Sequence, residues 1–348
     1  MRDPDRYKPP LQASRFPNTP PNPSAPQSSM FLNRIRVSRA LSAFDHASDR
    51  WAAIPLRDPH DPITQRPSSC PADAHAVGKQ TLSLTSWNIQ ASQPRSVARS
   101  KLILDYIFKG PKFPDIILLQ EVASSARQSI LSDPMVRSSF LTTDAEDDTS
   151  FKGVPFATMT LLSSKCFVSP LLAEEVKDEG GPNMVLDSVF RTQLPSRYER
   201  DALCVNIAAP AAPGQVLRLF NVHLDSLDSQ FRRALQMEVL AGLLREPGCS
   251  GGIIAGDFNA ILPEDHALVD KHELVDAWVA LHGSTTGPDG GATWGVGVEL
   301  EDGLKPGRLD KVVMLGLQPN EIEVLQPGLI DAYTPLSDHC GLRCTFTI

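Results

Sequence analysis

The chain has 348 residues, 33 Lys and Arg against 41 Asp and Glu, and a formal net charge of −8. Residues 1–80 hold 13 of the 30 prolines and 11 basic against 7 acidic residues, or +4, which leaves −12 on the remainder. An acidic body excludes broad, non-specific coating of nucleic acid, since neutralising many phosphates takes a surplus of Lys and Arg, although a small enzymatic footprint stays open to it. The six cysteines (Cys70, Cys166, Cys204, Cys249, Cys340 and Cys344) have no regular spacing, so neither a disulfide framework nor a zinc cluster is expected. No apolar run approaches the roughly 20 residues of a membrane span, and a soluble, intracellular protein is expected.

In chain order, the stretch 17–26 is Pro-rich with interspersed Ser and Asn; it cannot bury enough apolar surface to offset chain entropy. Residues 1–80 therefore read as a mostly disordered tail. Within it, 30–56 is richer in apolar residues (Phe31, Ile35, Val37, Leu41, Phe44, Trp51, Ile54), with Arg34, Arg36 and Arg39 among them. That segment reads as one that docks on the domain or on a protein partner. It also has the Arg-rich, amphipathic character of a mitochondrial presequence, but Asp3 and Asp5 count against one.

The folded domain is expected from Thr81. Alternation predicts a strand over 81–88, a helical stripe (Val97, Leu102, Ile103, Tyr106, Ile107) covers 97–108, and a β-rich run fills 115–122. Helices follow over 124–131, 229–244 and 274–282, with strands over 156–162, 203–208, 216–223, 252–256, 311–315 and 341–348. Stretches 144–153, 177–183 and 283–291 read as loops. Strands outnumber helices, and both need covered faces. The predicted fold is α/β, a four-layer α/β-β/α sandwich of two packed mixed sheets flanked by helices.

Five short segments each place a carboxylate, amide or imidazole at the end of a hydrophobic run: Ser86-Trp87-Asn88, Leu119-Gln120-Glu121, Asn221-Val222-His223-Leu224-Asp225, Gly256-Asp257-Phe258-Asn259 and Ser337-Asp338-His339. One such end would be a capped strand; five read as a single metal-dependent site built from strand tips. Glu121 ends an apolar run where its charge is costly unless it faces water or a cation, and a hard ion such as Mg²⁺ takes one or two carboxylates plus a substrate phosphate. Asp257 and Asn259 leave the same face at strand spacing, so the carboxylate can orient or deprotonate a water while the amide donates to a phosphoryl oxygen. His223 and His339 can stabilise charge on five-coordinate phosphorus when held as imidazolium. Asp310 can supply the orienting carboxylate, and Asp338 can help to hold the metal.

The order Trp-Asn, Gln-Glu, His-Leu, Gly-Asp-x-Asn, Ser-Asp-His resembles the endonuclease/exonuclease/phosphatase superfamily over 81–348. Within it, the chain is most similar to the 5′-tyrosyl-DNA phosphodiesterases, through Glu199-Arg200-Asp201-Ala202-Leu203-Cys204-Val205, Leu274-Val275-Asp276-Ala277-Trp278 with Ala292-Thr293-Trp294, and Ser337-Asp338-His339-Cys340-Gly341-Leu342. The resemblance implies a Mg²⁺-dependent (alternatively Mn²⁺-dependent) phosphodiesterase that frees DNA 5′ ends from a trapped topoisomerase peptide. It implies Asn88 and Glu121 at metal and phosphate, Asp257 and Asn259 at the attacking water, His223 and His339 at the phosphoryl oxygens, and Arg200 and Trp294 lining a DNA channel. Two positions depart from the pattern: Gln90 stands where an acid is usual, and Ala260-Ile261-Leu262 stands where an Arg is common. An apurinic-site endonuclease is the enzymatic rival, and Arg308-Leu309-Asp310 suits it equally, with Arg308 as a substrate contact. A degenerate binding scaffold is the rival of another class. The expected setting is a monomer acting on DNA in the nucleus, with the cytoplasm as the alternative.

Overall fold

The computed structural model describes residues 36–61, 80–91, 94–170, 184–283, 290–301 and 303–348. Three strands come first: β1 (Arg36–Ser38), β2 (Leu41–Asp45) and β3 (Arg50–Ala53). β4 (Thr81–Asn88), α1 (Ser96–Lys109), β5 (Ile116–Val122), α2 (Ser124–Leu131), α3 (Pro134–Ser139), β6 (Phe140–Thr143), β7 (Ala157–Ser163) and β8 (Phe167–Val168) follow. The chain continues through β9 (Met184–Gln193), β10 (Asp201–Ala208), β11 (Val216–His223), α4 (Gln230–Leu244), β12 (Cys249–Asp257) and α5 (Pro263–Lys271). It ends with β13 (Val275–Asp276), α6 (Ala277–His282), β14 (Asp310–Leu315), β15 (Gln318–Leu325) and β16 (Gly341–Thr347).

The strands form two eight-stranded mixed sheets. One has the order β1-β9-β10-β11-β12-β14-β13 with β8 on β9, and the other β15-β16-β4-β5-β7-β6-β2-β3. Period-two alternation sorts each strand between two cores. Leu82, Leu84, Ile116 and Leu118 meet Leu203, Val205, Leu219, Ile253 and Val312 between the sheets. The alternate residues Trp87, Ile117 and Leu119 face outward onto Ile103, Leu104 and Ile107 of α1, and Phe220, Val222 and Ile254 face Met237 and Leu240 of α4. The four layers follow from that sorting.

Each sheet contains a parallel pair, β4 with β5 and β11 with β12, in registers that set Asn88 beside Gln120 and His223 beside Asp257. Parallel neighbours end at the same edge, so these registers bring four polar tips to one side of the molecule. Beneath the tips, the Gln120 amide donates to Asn221 Oδ1 at 2.8 Å, and Asn221 Nδ2 donates to the Met159 carbonyl at 2.9 Å. The two sheets are thus tied by buried polar groups directly below the site.

The expected start at Thr81 moves upstream. β1 pairs antiparallel with β9 in one sheet while β2 pairs with β6 in the other, so residues 36–53 are strands of both sheets. Residues 1–35 and 62–79 lie outside the described residues, as do 177–183 and 284–289 of the expected loops. The expected helix over 274–282 begins later, at Ala277, because Val275 and Asp276 pair with Met314 and Val313 of β14. Asp276 then caps the helix by accepting from Trp278 N and Val279 N. Among the described residues, no helix is long and apolar enough to cross a membrane.

Candidate active site

The polar tips converge. Asn88, buried at the end of β4, donates from Nδ2 to Asp257 Oδ2 at 3.0 Å across the inter-sheet gap. His223 Nε2, at the end of β11, lies 3.4 Å from the same oxygen and 4.0 Å from Glu121 Oε1. His339 Nε2 lies 3.7 Å from Asp257 Oδ2 on the other side, and its Nδ1 is 2.8 Å from Asp310 Oδ2. Asn259 turns its backbone N–H to Asp257 Oδ1 at 2.8 Å and its side chain to the Leu224 carbonyl. That contact commits the Asn259 amide to holding the neighbouring loop. Asp338 sits at the mouth, where Trp294 Nε1 donates to its Oδ2 at 3.2 Å.

Local backbone explains why the tips project. β5 slips register between Leu119 and Val122, and Glu121 within that irregularity has φ 54°. A left-handed non-glycine residue in a bulge is costly and re-aims a side chain; here it turns Glu121 out of the strand plane into the cleft, where its side chain keeps 19 % of its exposure. Asn259 has φ 47° just past β12. The Ser337-Asp338-His339 segment is fixed from three directions. Ser337 Oγ donates to the Asn88 carbonyl, Trp87 Nε1 to the His339 carbonyl, and buried Arg99 of α1 to the Leu336 carbonyl and to Gln90 Oε1. Gln90 Oε1 also accepts from Asp338 N at 3.3 Å. The amide at this position therefore serves as the acceptor that links α1 to the Asp338 loop.

Electrostatics separate the two histidines. Burial pulls His223 well below the ordinary imidazole value, reinforced by Arg200 and His339, so His223 is neutral at pH 7. Burial acts the same way on His339, but the carboxylates of Asp310 and Asp257 outweigh it and push the ring up to about 10. His339 is thus an imidazolium in a doubly acidic setting. Burial also raises Asp257, with Asp310 adding to the effect and His339 opposing it, to about 6. Both histidines were expected as imidazolium; only His339 is, because burial, reinforced by the Arg200 guanidinium 3.3 Å from Nε2, holds His223 neutral.

Arg200 and Trp294 border the cleft, but Arg308 does not open onto it. Its two terminal nitrogens contact Asp276 at 3.0 and 2.9 Å, in a buried cluster with Lys311 on the far side of β14. Sequence reasoning did not single out Phe156, whose ring stacks on His223 at 5.6 Å and lies 5.1 Å from the Arg200 guanidinium. It also passed over Thr293, whose hydroxyl accepts from Leu309 N and Asp310 N and so fixes the strand end carrying Asp310. Phe156 read as an ordinary strand start, and Thr293 stood unremarked beside Trp294 in a segment noted only for the resemblance. Next to His223 a cavity of about 510 Å³ opens, lined among others by Phe156, Tyr198, Arg200 and Arg197.

Asp257, Asp310 and His339 place ligand-type atoms within 4.8 Å of one another. Asp310 and His339 are already bonded to each other, so the oxygen-only donors at the mouth, Glu121 and Asp338, suit a hard divalent cation better. The buried Asp310 Oδ1 has no hydrogen-bond partner and Asp257 is held toward its protonated form; both mark a carboxylate-rich centre short of positive charge.

Solved structures share this architecture. D. rerio TDP2 complexed with single-strand DNA product superposes with TM-score 0.58 at 20% identity, covering 77% of this chain and 99% of that one. Truncated Caenorhabditis elegans TDP2 gives 0.56 at 20%, with coverages of 77% and 98%. A mannosyl-6-phosphatase of Bacteroides thetaiotaomicron gives 0.51 at 14%, with 77% and 100%. No curated protein matches the sequence. The Endonuclease/Exonuclease/phosphatase family model matches residues 85–339, from just before the first polar tip to the last. Over that span the chain carries the family's order of strand ends and its two-sheet frame, and it belongs to this family of hydrolytic, metal-dependent phosphoesterases.

Proposed function

We propose that the chain is a Mg²⁺-dependent phosphodiesterase that hydrolyses the bond between a DNA 5′-phosphate and a tyrosyl residue, as left by a trapped topoisomerase. The observation that carries this reading is the aromatic cavity beside the phosphoryl-binding histidines: Phe156 stacked on His223, with Arg200 over Phe156 and 5.7 Å from the Tyr198 ring. Such walls suit a phenolic ring. The single-strand DNA product bound by zebrafish TDP2 supports a DNA end as the other half of the substrate.

Glu121 and Asp338 would hold the ion, which when bound supplies Lewis-acid charge at the phosphate. Asp257, held near a pKa of about 6, is poised to take a proton from water at neutral pH, and Asn88 fixes its carboxylate. His339, charged and locked by Asp310, sits where negative charge grows on the phosphoryl oxygens. A phenol, with a pKa of about 10, leaves without a strong general acid, in keeping with the absence of Tyr or Lys among the tips described above. The setting that follows is the nucleus, with the chain acting as a monomer.

Purified protein should release 5′-phosphate from a 5′-phosphotyrosyl oligonucleotide only with Mg²⁺, while an abasic duplex stays intact. The reverse preference would favour an apurinic-site endonuclease, although Arg308, the residue suited to it, is engaged with Asp276. Glu121→Gln should abolish turnover and weaken Mg²⁺ binding by calorimetry with the melting profile intact; unchanged affinity would remove Glu121 from the metal site.

A further inference from the structure

Beyond the cavity, the surface carries an apolar rim that the chemistry above does not use. Leu227, on the connection from β11 into α4, and Phe231, in the first turn of α4, are 67% and 73% exposed, and Ile261, just past β12, is 48% exposed. Leu227 also has φ 59°, a conformation that a leucine adopts only where its surroundings enforce it. What enforces it is Arg233, fully buried. It donates to the Leu227 carbonyl at 2.9 Å and pairs in two-pronged fashion with Asp265, 2.8 Å on each side. Asp265 Oδ2 in turn accepts from Ile261 N and Leu262 N. One buried ion pair therefore holds two loops side by side with their apolar side chains outward.

The rim adjoins the candidate active site through Phe231 and Arg197. A second cavity of about 420 Å³, lined by Arg197, Asp228, Ser229, Phe231, Arg232 and Leu235, shares Arg197 with the cavity beside His223. The path runs from the phosphoryl-binding tips, past the aromatic walls, to a surface of aliphatic and phenyl groups edged by Arg197, Arg232 and Asp228; Asp228 lies 3.7 Å from Arg197, which leaves Arg232 as the excess positive charge. A nucleic-acid strand asks for a row of cations and several stacking rings; here one exposed ring and aliphatic tips dominate. A polypeptide with apolar anchors and one acidic residue beside Arg232 matches both the side chains and the net charge.

We infer that Leu227, Phe231 and Ile261, flanked by Arg197 and Arg232, dock the polypeptide that remains attached to the tyrosine. This rests on the phosphotyrosyl reading above and goes beyond it. The rim would read the protein half of the conjugate and leave the chemical step untouched.

The test compares one oligonucleotide carrying 5′-phosphotyrosine alone with the same oligonucleotide whose tyrosine sits within a short peptide bearing Leu, Phe and Glu. The variants are Leu227→Gly, which suits the left-handed backbone, and Phe231→Ser. For the peptide conjugate the double variant should raise KM about tenfold, the equivalent of about 1.4 kcal/mol, with kcat and the bare-tyrosine kinetics unchanged. Equal KM changes for both substrates, or none for either, overturn the rim alone, as does a KM rise on bare tyrosine that scales with oligonucleotide length, which would assign the rim to nucleic acid. Wild-type protein that cleaves neither substrate overturns the phosphotyrosyl reading and the rim with it.

Discussion

His223 and His339 flank the same Asp257 oxygen, and their neighbours drive them in opposite directions, one toward neutral imidazole and the other toward imidazolium. Asp310 is the residue that makes the difference for His339, through a 2.8 Å contact within a buried setting. Asp310→Asn should lower kcat about 10²–10³-fold, the cost of losing one preorganised charged donor. It should also bring the alkaline limb of the pH–rate profile down from near pH 10 toward neutrality. Stability carries the same signature. A histidine raised from 6.5 to about 10 contributes fully below pH 6.5, and its contribution drains away as the pH climbs through the folded-state value. The gap in urea stability between wild type and Asp310→Asn should therefore be widest near pH 6.5 and close toward pH 10; a gap independent of pH would show that Asp310 acts by packing alone.

At the scale of elements, the site depends on how closely β11 and β12 run. Gly256 sits opposite Val222 in the parallel register with φ 141°, and a Cβ there would stand 2.0 Å from the Val222 carbonyl oxygen. Gly256→Ala must push the two strands apart, which should cost about 3 kcal/mol or more in chemical denaturation and shift His223 from Asp257; an unchanged midpoint would refute that packing. Asn88, Glu121, His223 and Asp257 were legible as tips because each ends a visible apolar run. β9 and β15 were not anticipated. β15 is an edge strand of mixed exposure, with no clean apolar alternation across Gln318–Leu325, and its pairing with β16 decides its form. The Phe156–His223 stack was also beyond reach, since two residues far apart in sequence meet only once β7 and β11 face each other across the sandwich.

For the molecule as a whole, the segment at 36–61 joins what would otherwise be two separate edges. β1 covers β9 while β2 and β3 extend from β6, with Leu41 fully buried in the central core. Deleting residues 1–61 should bare both edges and remove apolar burial worth about 3 kcal/mol or more by area. The expected outcome is a melting point several degrees lower and concentration-dependent light scattering, as unpaired strands find each other. A truncated chain that melts like the full one would make these strands ornamental.

β16 lies inside its sheet, between β15 and β4, although it follows every other strand in sequence, and His339 directly precedes it. During synthesis, then, β15 and β4 must wait with a vacant lane between them, one strand in from the sheet's edge, and the charged ring arrives together with the piece that fills it. Delivery of the charged ring and completion of the sheet thus become one event: a chain cut before Ser337 lacks both His339 and β16, and the expected outcome is loss of the fold together with any phosphoesterase turnover.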